Sequence, residues 1–204
     1  MNVLTPRPVS RSIAAAALTL GTLCGYAPFA AGHDDDDRGR GTVTTWLSGY
    51  NEVHFVAGPP AALRGAVSTK ATGKFRARIN DRSDTIDYEL NYANLEGAVT
   101  QAHIHFGQAS TVGGIVVWLC QTAGTPAPAA VAAATPMCPA DTLGGPVTGT
   151  ITPAQVLAQA AQGINAGEFD ELVRAIRAGA TYANVQSTLH TPGEIRGQIP
   201  NHDH

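Results

Sequence analysis

Charge is scarce in this chain, and long apolar runs are scarcer. Only 14% of its 204 residues are Asp, Glu, Lys or Arg, and 13 basic against 16 acidic residues leave a formal net charge of −3. A nucleic-acid binder carries a basic stripe that this composition does not supply. Beyond the N-terminus no apolar stretch approaches the roughly 20 residues of a membrane-spanning helix. The signatures GxSxG, P-loop, HExxH and GxGxxG are all missing, and no spacing of Ser, His and Asp selects a nucleophile.

The N-terminus does have a pattern. Arg7 and Arg11 precede an uncharged Ala- and Leu-rich run from Ile13 to Leu23, and small residues follow at Ala30, Ala31 and Gly32. That order is the order of a secretory signal peptide over residues 1–32, with an uncleaved anchor as the alternative. Leu23 is bulky where a lipid-attachment site before Cys24 would need a small residue. Loss of this segment leaves 11 basic against 16 acidic residues, a formal charge of −5. The expected product is extracytoplasmic, periplasmic or secreted, with no nucleic-acid partner and no membrane attachment. Of the 3 cysteines, Cys24 leaves with the signal. Cys120 and Cys138 are then an even pair in a compartment that permits disulfides. A bridge between them closes a loop worth about 3 kcal/mol in the chain-entropy model. Metal binding by the pair lacks both a CxxC spacing and a nearby His.

Residues 33–41 read HDDDDRGRG, an acidic spacer without one apolar side chain, expected to be disordered. Period-two alternation then begins. Phe75, Ala77 and Ile79 alternate with Lys74, Arg76 and Arg78, and Ile86, Tyr88, Leu90 and Tyr92 with Asp87, Glu89 and Asn91. Alternation of this kind marks strands with one buried and one wet face, and the polar stretch 80–84 predicts a hairpin turn. Further strands are expected at Val99–Phe106, Ile115–Leu119, Val147–Ile151, Thr181–Gln186 and Glu194–Ile199. Residues 121–146, rich in Ala, Pro, Thr and Gly, read as a long excursion tied at its base by the cysteines.

Thr152-Pro153-Ala154-Gln155 is a capping box, and Phe169, Leu172, Val173 and Ile176 hold helical spacing up to Gly179. The fold class expected is therefore all-β: an antiparallel, Greek-key-like β-sandwich with one or two short helices before the last strands. Its span is residues 42–200, with a flexible tail over 201–204.

Four segments stand out in order: Leu47-Ser48-Gly49-Tyr50-Asn51-Glu52-Val53, Ala102-His103-Ile104-His105-Phe106-Gly107, Tyr182-Ala183-Asn184-Val185 and Gly193-Glu194-Ile195-Arg196-Gly197-Gln198. Together they resemble the CHRD domain family, whose pattern looks like LSGxxEVPP, AHIHxG, YVNVHT and HPGGEIRGQ. The resemblance covers nearly all of residues 42–200. It implies an extracellular or periplasmic β module whose partner is a protein or a cell-surface component. The chain departs from the pattern at His54 and Phe55, where two prolines are usual. It departs again at Gln186, where a His is usual, and at Thr191 and Pro192.

His103 and His105, two apart on one strand, share a face. His190 is expected as a third metal ligand, with Glu52 or Glu194 completing the set, and copper or zinc would suit imidazole-rich ligation. A structural role for the His pair, with both rings bonded to loop groups, is the alternative. HxH followed by Phe-Gly also resembles the copper-binding strand of copper–zinc superoxide dismutases. A copper-dependent redox enzyme of that kind is therefore the second functional expectation, although the rest of its ligand set is not found. The first is a non-enzymatic binding or structural module. Glu194 and Arg196, on one strand face, are expected to form a structural ion pair.

Overall fold

The computed structural model describes residues 41–56, 63–143 and 145–201. The expected signal peptide, the acidic spacer and residues 202–204 lie outside the described residues. Among the described residues there are ten strands: β1 (Thr42–Ser48), β2 (His54–Val56), β3 (Leu63–Gly65), β4 (Thr72–Asn80), β5 (Thr85–Ala93), β6 (Val99–Phe106), β7 (Gly114–Cys120), β8 (Val147–Ile151), β9 (Thr181–Ser187) and β10 (Ile195–Gln198). Eight form one antiparallel sheet in the order β7-β6-β9-β10-β1-β4-β5-β8, and β2 pairs with β3 as a separate hairpin.

The all-β antiparallel expectation holds. One continuous sheet supplies both faces of the expected sandwich by rolling almost into a barrel. Alternation decides which side chains enter it. Phe75, Ala77 and Ile79 from β4 and Ile86, Tyr88, Leu90 and Tyr92 from β5 are buried, with Ile104, Val117, Leu119, Val185 and Ile195 from the far strands. Each fully buried side chain of this size contributes about 1.5–3 kcal/mol. The Tyr88 hydroxyl donates across the interior to the Leu119 carbonyl at 2.7 Å, joining β5 to β7.

The strand edge at β7 is covered rather than left open. Leu157 N–H donates to Val116 O at 2.9 Å, and the Gln159 side-chain amide donates to Ile115 O at 2.7 Å. This covering explains the fate of the capping box. Gln155 Oε1 accepts from Thr152 N–H at 3.0 Å, yet only a single 3-10 turn forms, Pro153–Gln155, and Val156 is already extended. The edge hydrogen bonds compete for the same backbone and win.

One α-helix longer than a turn is present among the described residues, α1 (Phe169–Arg177). It buries Phe169, Leu172, Val173 and Ile176 as its spacing predicted. Gly179, at φ 67°, ends it in the left-handed conformation usual for a residue just past a helix.

The excursion after β7 is stapled as expected, with a Cys120–Cys138 disulfide. Its organiser is Gln121. That side chain donates to Ala132 O and Thr135 O, each at 2.7 Å, and accepts from Ala127 N–H at 2.8 Å.

Candidate functional site

The outer faces of β6, β9 and β10 should be wet, but they are buried. The loop between β6 and β7, the segment after β1 and the β9–β10 loop fold over them and make a second, polar layer outside the barrel. His103, His105, Tyr182, Asn184, Gln186, Arg196 and Glu52 are all buried in it.

Hydrogen bonds hold most of this layer. His105 lies 2.9 Å from Gly113 O through Nδ1 and 3.1 Å from Asn184 Oδ1 through Nε2. A neutral imidazole carries one N–H, so it donates to one of these oxygens at a time. The Asn184 amide donates in turn to Pro192 O at 3.2 Å. Gln186 Oε1 accepts from the Gln101 side chain at 2.5 Å. Arg196 donates to Thr111 O at 2.7 Å and to Gln108 O at 2.9 Å, which pins the β6–β7 loop.

Three groups carry a cost. Both ring nitrogens of His103 are buried without a hydrogen bond, and the ring sits edge-on to Trp118, centroids 4.4 Å apart. Burial, and then the neighbouring His105, drive its pKa well below the usual imidazole value. Burial lowers that of His105 too, against the opposing pull of Gly113 and Asn184. Burial raises the pKa of Glu52, offset in part by the Val53 N–H and by Arg196.

A different cluster forms at the end of this layer, where three loops meet. Glu96 comes from the β5–β6 turn, and His190 and Glu194 from the β9–β10 loop. The loops are joined by Thr188 N–H to Ala98 O at 2.9 Å and by Glu96 N–H to Glu194 Oε1 at 2.7 Å. Thr69 also donates to Glu194 Oε1, at 2.9 Å. His190 Nε2 is 3.4 Å from Glu96 Oε2. One ligand-type atom from each of Glu96, His190 and Glu194 lies within 4.8 Å of the others, and among the described residues no other such group of three exists.

Glu194 is 0% exposed, and its Oε2 is buried with no hydrogen bond of good geometry. Burial opposes its ionisation, but hydrogen bonding from the Ser187 side, from Glu96 N–H and from Thr69 outweighs it and holds the pKa below the ordinary value. Gly193 precedes it at φ 150°, a backbone conformation that favours glycine, and a Cβ there would collide with the Glu52 carboxylate and the Asn184 amide.

The structure therefore separates residues that sequence spacing had grouped. His103 and His105 are neighbours, ring centroids 5.5 Å apart, inside the polar layer. His190 does not join them, because the antiparallel register sets His103 opposite Asn184, whereas the His190 carbonyl accepts from Ser187 N–H. Glu52 lies beside Asn184 and Arg196, and Glu194 falls with His190. Glu194 and Arg196 form no ion pair. The Arg196 donors go to loop carbonyls and to Gln198 Oε1, and the Glu194 acceptors go to Thr69 and the Glu96 backbone. Glu96 and Asn184 were missed. Glu96 sits in a turn with no periodicity, and only the tertiary meeting of two loops gives it a role.

A model of the CHRD domain matches residues 43–199. The chain belongs to the CHRD domain family. The match spans the β sheet, the polar layer and the three-loop cluster, so each of the four segments singled out above has a place in this CHRD domain. The PGEIRGQ stretch contributes Glu194 to the cluster and Arg196 to the layer, and AHIHFG contributes the buried His pair. No curated protein and no solved structure is significantly similar to the chain.

Proposed function

We propose that this CHRD protein is an exported, non-enzymatic module that binds a divalent transition-metal ion, zinc in the first place, through Glu96, His190 and Glu194. The observation that carries the proposal is the convergence of the fully buried Glu194 carboxylate, held ionised, with an imidazole and a second carboxylate, ligand atoms within 4.8 Å of one another. A buried carboxylate that stays ionised carries a charge that a bound cation would neutralise. Zinc takes His nitrogen and Glu oxygen at about 2.0–2.2 Å. Ligand atoms within 4.8 Å of one another stand close to the roughly 3.4 Å separation that a shared tetrahedral ion requires. Export is supported by the signal-like N-terminus and by the Cys120–Cys138 disulfide, a bond that persists in oxidising compartments.

Isothermal titration and elemental analysis of the full chain test this. Stoichiometric zinc is expected in the wild type, with loss on Glu194→Gln or His190→Ala at unchanged folding. Copper competition in the same titration ranks the two metals. A wild-type chain that retains neither metal overturns the proposal.

A further inference from the structure

We propose that His54 supplies the fourth ligand to this ion, closing its coordination shell and fastening the start of the β2–β3 hairpin to the β9–β10 loop. This rests on the zinc site proposed above and says how that site is completed.

The His54 and His190 rings stand 6.1 Å apart, centroid to centroid, tilted by 58°. Two imidazoles that share one tetrahedral zinc place their ring centroids about 5–6 Å apart, given metal–nitrogen bonds of about 2.0–2.1 Å. The observed spacing lies just beyond that range. His54 stands outside the group whose ligand atoms lie within 4.8 Å of one another, so this role requires its ring to move inward when the ion binds.

The hydrogen bonding of His54 suits ligation. Its Nε2 lies 2.5 Å from the Gly193 carbonyl, the residue next to Glu194. A carbonyl only accepts, so Nε2 carries the proton and Nδ1 keeps its lone pair. One nitrogen free and the other donating to a backbone carbonyl is the arrangement that orients a metal-bound histidine.

The charge also balances. Two carboxylates neutralise the ion, and two neutral imidazoles complete four-coordination without adding charge. A shell filled by four protein ligands holds a structural ion, whereas three would leave a position open for water or substrate. The site would then lock three loops and the hairpin together.

The test is zinc affinity and the cobalt(II) absorption spectrum of the full chain, as wild type, His54→Ala and His54→Gln. The wild type should show a tetrahedral cobalt spectrum. His54→Ala should still bind zinc, at least about tenfold more weakly, with a cobalt spectrum shifted towards higher coordination. His54→Gln, which keeps the size and a polar tip, guards against a loss caused by misfolding and should behave like His54→Ala. Wild-type affinity and an unchanged spectrum in both variants, with Glu194→Gln still defective, would overturn the role of His54 and leave the three-ligand site standing. No zinc in the wild type would overturn both.

Discussion

The guanidinium carbon of Arg196 lies 3.3 Å from the centroid of the Tyr182 ring. The Tyr182 ring also stacks on His105, 4.7 Å away and 5° from parallel. Arg196 is 2% exposed and has no carboxylate within salt-bridge distance among the described residues. Its charge is met by the Tyr182 ring, two loop carbonyls and the more distant Glu52. A planar fork can do all of this at once, and an ammonium cannot. Arg196→Lys should therefore cost about 2–4 kcal/mol, read as a lower urea midpoint. An unchanged midpoint would show that charge alone suffices.

The two buried histidines should respond unequally to apolar replacement. His105→Leu strips Gly113 O and Asn184 of a partner and removes a stacked ring, for a loss of about 2–3 kcal/mol. His103 has no hydrogen bond of good geometry, only the weaker approach of the Asn184 side chain, so His103→Leu should cost about 1 kcal/mol or less. Thermal melts of the two variants at neutral pH compare them directly.

Acid should loosen the polar layer. His103 and His105 both have folded pKa values below the ordinary 6.5. Below pH 6.5 the unfolded chain therefore binds more protons than the folded one. Their contribution to stability is complete above the unfolded value and is lost as pH falls from there towards the folded values. The raised Glu52 carboxyl works in the other direction, from 4.5 upwards. Unfolding free energy measured from pH 7.5 down to 5 should fall. The slope should be shallower in His103→Leu, and an identical slope would remove His103 from the account.

Besides the hydrogen bonds of Thr122, Thr125 and Thr142 to the sheet, the excursion after β7 has a covalent anchor and a single-amide anchor. Opening the Cys120–Cys138 bridge, which spans 18 residues, should cost about 3 kcal/mol. Gln121→Leu leaves the Thr135 carbonyl and the Ala127 N–H without their Gln121 partner, while the Ala132 carbonyl keeps the Thr135 N–H, and should cost about 2–4 kcal/mol with the disulfide intact. Denaturant curves of the oxidised variant and of the reduced wild type measure the two anchors separately.

Much of this fold could be seen in the amino-acid order. Val99–Phe106 and Val147–Ile151 are strands with the expected bounds, and the Phe169 to Ile176 spacing is a buried helical face. These features are local, and period alone encodes them. The candidate site was half visible. His190 and Glu194 are close in sequence and share a loop. Their partner Glu96 is brought in by the register of β6 on β9, a long-range pairing that spacing does not carry. His103 and His105 were visible as a pair on one face, but not as a sealed pair, because the cover comes from loops far along the chain. The same limit applied to the capping box at Thr152, whose helix gave way to a strand edge.

The half-buried Trp118 stands edge-on to His103, and Trp46 on β1 is 69% exposed. With only 2 tryptophans in the chain, Trp46→Phe leaves a single emitter, packed against the buried His103. Its fluorescence would then serve as an intrinsic optical gauge of whether the polar layer is shut, whatever the rest of the barrel is doing.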